Sequence, residues 1–513
     1  MNDGLAYKSA PGRWVLAVAV LGSGMAFLDS TAVNVALPDI GRDLDASTSS
    51  LQWIINGYLL ALSALILLGG SLGDRYGRRR IFVVGVGIFT SASLLCAIAP
   101  SDEMLVAARF LQGIGGALLT PGSLAMIEAS FRREDRPRAI GAWSGLTGVA
   151  AAVGPLLGGY LVDAVSWRAV FLINLPIGAF VIATASHVPE SHDPTVSGRL
   201  DGRGALLGAL ALGGTTYALV EAPGGISPAI VLAGAGGVAA LVAFLAVERH
   251  AANPMLPLGI FASRQFSAAN LVTFVVYAAF GGFFFLFVSF LQISLGYSPI
   301  AAGAATLPVT VLTLVFSARA GGLAQRIGPR IPLTLGPLLV AVGLLMLTGI
   351  DPGDAYLASV LPAVVIFGLG IVLVAAPITA TVLAAADERH AGVASGINNA
   401  VARVASLLAV AVLPLIAGIT GQSFYEPSEM TDGFHVAMFV CAALAAVGGV
   451  IAWLTLSDDL LAAEPTRRGE APVPVPAEFS CGVAGPPLRP ATEVIPASRD
   501  ITAEGALGSA GHT

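Results

Sequence analysis

The sequence predicts an all-α polytopic membrane protein: fourteen transmembrane helices, arranged as two six-helix bundles plus two extra helices. Three observations lead there. Of 513 residues only 11% are charged and 56% are hydrophobic, with a mean hydropathy of +0.82; ordinary soluble domains carry about 25% charged residues, so a soluble surface cannot be built. The apolar residues fall into runs of the roughly 20 residues needed to cross a hydrocarbon core. The basic residues gather in alternate loops between those runs, as the positive-inside rule requires.

In order, the segments are 14–36, 50–72, 81–99, 103–127, 139–162 and 167–187, then 204–220 and 227–247, then 267–293, 299–318, 331–350, 356–377, 393–420 and 434–456. The first is too long for a signal-peptide core, contains Asp29 and lacks a small-residue cleavage site, so it is expected to be a retained helix. With the N-terminus inside, all but four of the 26 basic residues fall in cytoplasmic segments, from Lys8 and Arg13 through Arg75, Arg199 and Arg389 to Arg467, Arg468, Arg489 and Arg499. The four are Arg42 and Arg168, outside, and Arg109 and Arg403, within spans. Both termini are thus expected in the cytoplasm of a cell with the chain in its inner or plasma membrane.

A repeat divides the chain. Gly70-x-Leu72-x-Asp74-Arg75-x-Gly77-x-Arg79 recurs as Gly321-x-Leu323-x-Gln325-Arg326-x-Gly328-x-Arg330, each copy after an even-numbered span. Repeated halves with substrate between them are a common transporter plan. The expected organisation is an N-terminal tail (1–13), a first bundle (14–187), two inserted helices with their loops (188–266), a second bundle (267–456) and a disordered cytoplasmic tail rich in Pro, Glu, Ala and Gly (457–513).

Several functions are excluded by composition. Lys8 is the only lysine and lies in the N-terminal tail, so neither a phosphate-binding G-x-x-x-x-G-K-[ST] loop nor a Schiff-base lysine exists in the fold. The three cysteines (Cys96, Cys441, Cys481) and six histidines (among them His390 and His512) show no metal-ligand spacing, so no metal or cofactor is expected. A net charge of -6 argues against nucleic acid. A membrane enzyme is disfavoured because no cluster of His, Cys and Glu shares a membrane depth.

The motifs are more specific. Gly69-Gly-Ser-Leu-Gly-Asp-Arg-Tyr-Gly-Arg-Arg-Arg80 resembles the loop between the second and third helices of the major facilitator superfamily. Leu28-Asp-Ser-Thr-Ala-Val-Asn-Val-Ala-Leu-Pro38, Leu51-Gln-Trp-Ile-Ile-Asn-Gly-Tyr58, Arg109-Phe-Leu-Gln-Gly-Ile-Gly-Gly-Ala117, Gly148-Val-Ala-Ala-Ala-Val-Gly-Pro-Leu-Leu-Gly-Gly159 and Trp167-Arg-Ala-Val-Phe-Leu-Ile-Asn-Leu-Pro-Ile-Gly178 resemble, in register, motifs of its 14-helix drug/proton antiporter branch. The resemblance covers residues 14–456. It implies a gating charge relay at Asp74, Arg75 and Arg78, proton coupling involving Arg109, and an antiporter helix at Gly154, Pro155, Gly158 and Gly159. Gln325 replaces the aspartate in the second copy of the loop, so the relay the resemblance implies is expected in the first copy.

Physical chemistry selects some of the same residues. An ionised side chain at the bilayer centre costs about 2.5–3.5 kcal/mol on insertion scales, so such residues face protein or water and are functional candidates. Asp29, Arg109 and Arg403 are the clear cases. An Asp29 whose contacts change between two conformations would take up and release a proton; a static buried ion pair is the alternative. Arg109 cannot carry the proton and would act on a neighbour. Arg403 is open between helix packing and function. Gly154 and Gly158 have the close-packing G-x-x-x-G spacing, and Pro155 bends the helix. Asn34, Tyr58, Gln112, Asn398, Asn399 and Arg403 are the expected substrate-cavity residues. Trp53 and Tyr58 offer stacking surfaces for a flat ligand, or interface anchors. Glu128 and Glu221 lie near span ends and rank below Asp29, and the last two predicted spans hold no acid.

These features predict a transporter that exports lipophilic small molecules in exchange for protons, its partners being the substrate, protons and the bilayer, with a monomer possible. An exporter dedicated to one metabolite, antibiotic or lipid, and a non-transporting receptor on the same fold, are the alternatives. The inserted pair is expected beside the bundles.

Overall fold

A computed structural model describes residues 4–192, 201–251, 254–386 and 391–461. Arg199, Arg389, His390 and the stretch 462–513, with Cys481, His512 and the tail arginines, lie outside them. Among the described residues fourteen helices are long and apolar enough to cross a membrane: α1 Ala10–Leu44, α2 Thr48–Tyr76, α3 Arg78–Ala97, α4 Asp102–Ser130, α5 Arg138–Ala164, α6 Arg168–His187, α7 Gly202–Gly224, α8 Pro228–His250, α9 Arg264–Ile293, α10 Pro299–Ile327, α11 Arg330–Leu347, α12 Tyr356–Ala384, α13 Val393–Ala417 and α14 Pro427–Thr455. They match the expected segments one for one.

The ends differ where helix chemistry overrides hydropathy. Helix α1 runs past Pro38 to a left-handed cap at Asp45, two turns beyond the expected end; proline removes one helical hydrogen bond, which neighbouring helices compensate in membrane proteins. Helix α14 starts at Pro427, with proline's fixed φ in the first turn, and so includes Glu429 and Asp432. The expectation that this helix holds no acid is corrected, although both side chains are exposed in its first turns. Part of the segment expected to be a disordered tail is ordered: Asp458–Leu461 forms a helical turn because Asp458 accepts the backbone N–H of Arg330, 3.2 Å away.

Helix packing in the two halves corresponds. In α1–α6, α4 packs on α2 and α3, and α1 on α5; in α9–α14, α12 packs on α10 and α11, and α9 on α13. The repeated loops are fixed alike. Gly77 and Gly328 both have positive φ (111° and 86°), a backbone that glycine adopts without a Cβ penalty. The helix after each is capped by an acid that follows the last helix of its half: Glu190 accepts the N–H of Arg79 at 3.0 Å, as Asp458 does that of Arg330.

The seam between the halves, α2 on α13 and α5 on α10, is closed at the end opposite the arginine-rich loops. There Tyr425 Oη donates to the Ala46 carbonyl at 2.6 Å, Thr48 Oγ1 to Gly421 at 2.8 Å, Gln292 Nε2 to Val35 at 2.8 Å, and Ile300 N–H to Asp163 at 3.0 Å. Toward the arginine loops α5 separates from α10: a Cβ at Gly141, Gly145 or Gly148 would meet nothing within 4 Å, whereas Gly159 lies against the Pro299 carbonyl. Helices α7 and α8 pack on each other, and α7 also rests on α2 and α13.

Candidate functional site

Five of the six helices of the first half converge on Asp29, which is fully buried. Arg109 Nη1 donates to Asp29 Oδ2 at 2.6 Å and to Gln112 Oε1 at 2.6 Å, while its Nε donates to the Ile54 carbonyl on α2 at 2.9 Å. Gln112 Nε2 and Asn174 Nδ2 both donate to Asp29 Oδ1, at 2.8 and 3.0 Å, and both also reach Ser93 Oγ on α3. The guanidinium carbon stands 4.5 Å from the ring centroid of Tyr58, a cation–π contact strengthened by desolvation.

Local sequence explains each position. Arg109 and Gln112 are three apart and share a face of α4. Asn174 is presented where α6 breaks at Ile173, because Pro176 has no N–H for the Leu172 carbonyl. Thr31, two residues from Asp29, donates at 3.1 Å to the Ala151 carbonyl, which Pro155 leaves without its helical partner. A Cβ at Gly154 would fall on Thr31, and one at Gly158 would meet Ala32 at 2.9 Å, so the two glycines bring α5 onto α1 beside Asp29. Gln52 on α2 makes the corresponding contact across the seam: its amide donates at 2.8 Å to the Val410 carbonyl, left free by Pro414.

Other expected residues fall elsewhere. Gln112, assigned from sequence to the cavity, is fully buried inside the cluster, because its amide both accepts from Arg109 and donates to Asp29. Tyr58 is also buried. Trp53 donates its indole N–H to Glu221 at 2.8 Å and packs near Phe110 and Tyr217, joining α2 to α7. Asn398 donates to Thr273 at 2.8 Å and Asn270 at 3.3 Å and ties α13 to α9. Asn34 bonds its own helix at Ser30, with Oδ1 left unpartnered. Asn399 is exposed, and Arg403 is half-buried rather than fully buried. Asp74 pairs with Arg78 at 2.8 Å, and Arg75 is exposed beside Tyr76. Ser93 and Asn174 were not singled out from sequence; Asn174, a lone amide ahead of a proline in an apolar run, was the legible one. Glu248, 3% exposed, was also missed, one residue past its predicted span.

A family model described as Major Facilitator Superfamily matches residues 19–410. The chain belongs to the major facilitator superfamily. It is 36% identical over 455 residues to the Methylenomycin A resistance protein of Bacillus subtilis (strain 168), covering 88% of this chain and 95% of that one. It is 35% identical to the Puromycin resistance protein pur8 of Streptomyces alboniger, covering 89% and 94%, and 36% identical to the Multidrug resistance protein Stp of Mycobacterium tuberculosis (strain CDC 1551 / Oshkosh), covering 79% and 76%. In fold it resembles a bacterial homologue of the human lysosomal transporter Spinster in an inward-facing, unoccupied conformation (TM-score 0.63, 18% identity, 88% and 98% covered). It also resembles a D-xylose–proton symporter (TM-score 0.62, 14% identity, 87% and 98% covered). A major facilitator of this kind is a multi-pass membrane transporter and not an enzyme.

Proposed function

We propose that this major facilitator exports lipophilic small molecules from the cytoplasm in exchange for protons, by alternating access between its two halves. It would act in the cell membrane with both termini cytoplasmic. The observation that carries the proposal is the buried Asp29–Arg109 pair, set where α1 meets α4 and α6 and beside the glycine seam joining α1 to α5. Protonating Asp29 removes its charge and leaves Arg109 unpaired, so the packing of α1 on α4 differs between the two protonation states. Helix α5 moves with α1 because Gly154 and Gly158 leave no slack, and α5 also forms the closed contact with α10. One protonation event is thus linked mechanically to the seal between the halves. Asp74, Arg75 and Arg78, at the arginine-loop end, would hold the opposite closure.

The energetics suffice. Each charge moved through the membrane field gains about 2.3 kcal/mol per 100 mV. One proton exchanged for a neutral molecule at roughly 150 mV gains about 3.4 kcal/mol and sustains a gradient of about three-hundredfold. The test is uptake of a lipophilic fluorescent dye by inverted vesicles: uptake on imposing an acid-inside gradient, abolished by a protonophore, is expected. Uptake indifferent to the gradient would contradict antiport. The relatives named for methylenomycin A or puromycin favour a narrower second reading, an exporter of one antibiotic, which a compound panel in a pump-deficient host would separate.

A further inference from the structure

The seam between α2 and α13 contains a cation that has no counter-ion among the described residues. The two helices pack antiparallel, with Gln52 against Val410 at one level and Leu67 against Gly396 at another, and Arg403 lies between these levels. Its Nε is buried and has no hydrogen-bond partner. Among the described residues no carboxylate pairs with it; the ionisable groups it interacts with are the phenols of Tyr58, from the first half, and Tyr277, from the second. Asp29, the buried acid nearest in function, is already held by Arg109. A guanidinium nitrogen buried away from water needs a partner to offset lost hydration, and among the described residues Arg403 Nε has none.

The surroundings are unsatisfied in the same way. Asn56, one turn beyond Gln52 on α2, is fully buried with both amide atoms unpartnered, and the Ser63 hydroxyl two turns further is likewise free. Asn399, one turn from Arg403 on α13, is exposed. Asn56 and Ser63 lie on the stripe of α2 that carries Gln52 toward α13, and since buried polar groups are normally satisfied, donors and acceptors left open along that stripe mark a place that a polar molecule completes. A guanidinium fork matches a carboxylate in two parallel hydrogen bonds.

We propose that Arg403 is the anchor for a negatively charged oxygen-bearing group, a carboxylate or acidic enol, on the exported molecule, with Asn56, Tyr58, Ser63 and Tyr277 as its hydrogen-bonding surround. This rests on the exporter reading and narrows its substrates to lipophilic organic acids. Static helix packing would explain the position of Arg403 but not its missing partner.

The full-length protein in detergent is titrated at neutral pH with two fluorescent probes of one shape, 1-pyrenebutanoate and its neutral amide, 1-pyrenebutanamide. The same pair is offered to inverted vesicles under a pH gradient. The wild type is expected to bind and accumulate the carboxylate at least about tenfold better than the amide, the scale of a charge-assisted bidentate contact. Arg403→Gln is expected to remove that preference while changing amide binding less than about twofold, which also shows that the variant folds; Arg403→Lys is expected to keep part of it. Equal binding of both probes by the wild type, or an unchanged preference in Arg403→Gln, overturns the assignment and leaves export standing. If the wild type binds and accumulates neither probe, the assignment falls, while the gradient-driven dye uptake described above decides the exporter reading separately.

Discussion

The first and fourth helices of each half meet at corresponding places with opposite chemistry. In the first half α1 meets α4 through a buried ion pair, Asp29 to Arg109 at 2.6 Å, tied by Gln112 and Asn174. In the second half α9 meets α12 through aromatic rings: Phe283 and Phe367 centroids are 4.0 Å apart, Phe280 and Phe367 5.9 Å, and Phe283 stacks on Phe287 at 4.6 Å. An aromatic contact is worth about 0.5–1.5 kcal/mol beyond its buried area and does not respond to pH. A buried ion pair depends on the protonation of its acid. The fold therefore places an ionisable joint in one half and an aromatic, non-titrating one in the other; under the proposed antiport, the first is the joint that would respond to a proton.

The largest expected effect comes from breaking the charged joint on one side only. Arg109→Ala leaves Asp29 buried without its cation and is expected to cost about 3–5 kcal/mol, seen as a lower unfolding temperature of the purified protein and loss of gradient-driven transport. Adding Asp29→Asn to that variant is expected to restore most of the stability and none of the coupling. An Arg109→Ala protein as stable as the parent would mean that the pair does not hold α1 to α4. The aromatic joint gives the contrasting case. Phe367→Ala is expected to lose about 3–5 kcal/mol through its cavity but to keep the parent's pH profile of transport, measured at a temperature where both remain folded; an altered profile would erase the distinction between the joints. A smaller effect is expected at the seam, where Gln52→Ala removes the donor to Val410. Interhelical hydrogen bonds in membranes average about 0.6 kcal/mol, so a severalfold rise in thiol labelling of a cysteine introduced at Ala46, behind the closed end, is expected, with unfolding nearly unchanged.

Legibility in the sequence followed range. The helices were legible because hydropathy is a local property, and their ends less so because Pro38 continues a helix and Pro427 starts one. Asp29 and Arg109 stood out because charge is rare in an apolar span, but their contact joins residues 80 apart and could be expected only as an alternative. Ser93 is one of three hydroxyls on α3, with Thr90 and Ser91, and nothing local distinguishes it from packing. Gln112 looked like a cavity residue for the same reason that it serves the cluster: an amide must find partners when buried, and sequence alone does not say whether those are side chains or substrate. The caps supplied by Glu190 and Asp458 arise only when the end of each half folds back on its repeated loop.

The most direct test of the central claim compares Asp29→Asn with the parent in the same inverted vesicles, in two modes. One is dye accumulation driven by an acid-inside gradient; the other is exchange of labelled for unlabelled dye with no gradient. Asp29 as the coupling acid predicts that Asp29→Asn retains exchange and loses accumulation. Accumulation equal to the parent's would contradict it and reduce the Asp29–Arg109 pair to a structural contact.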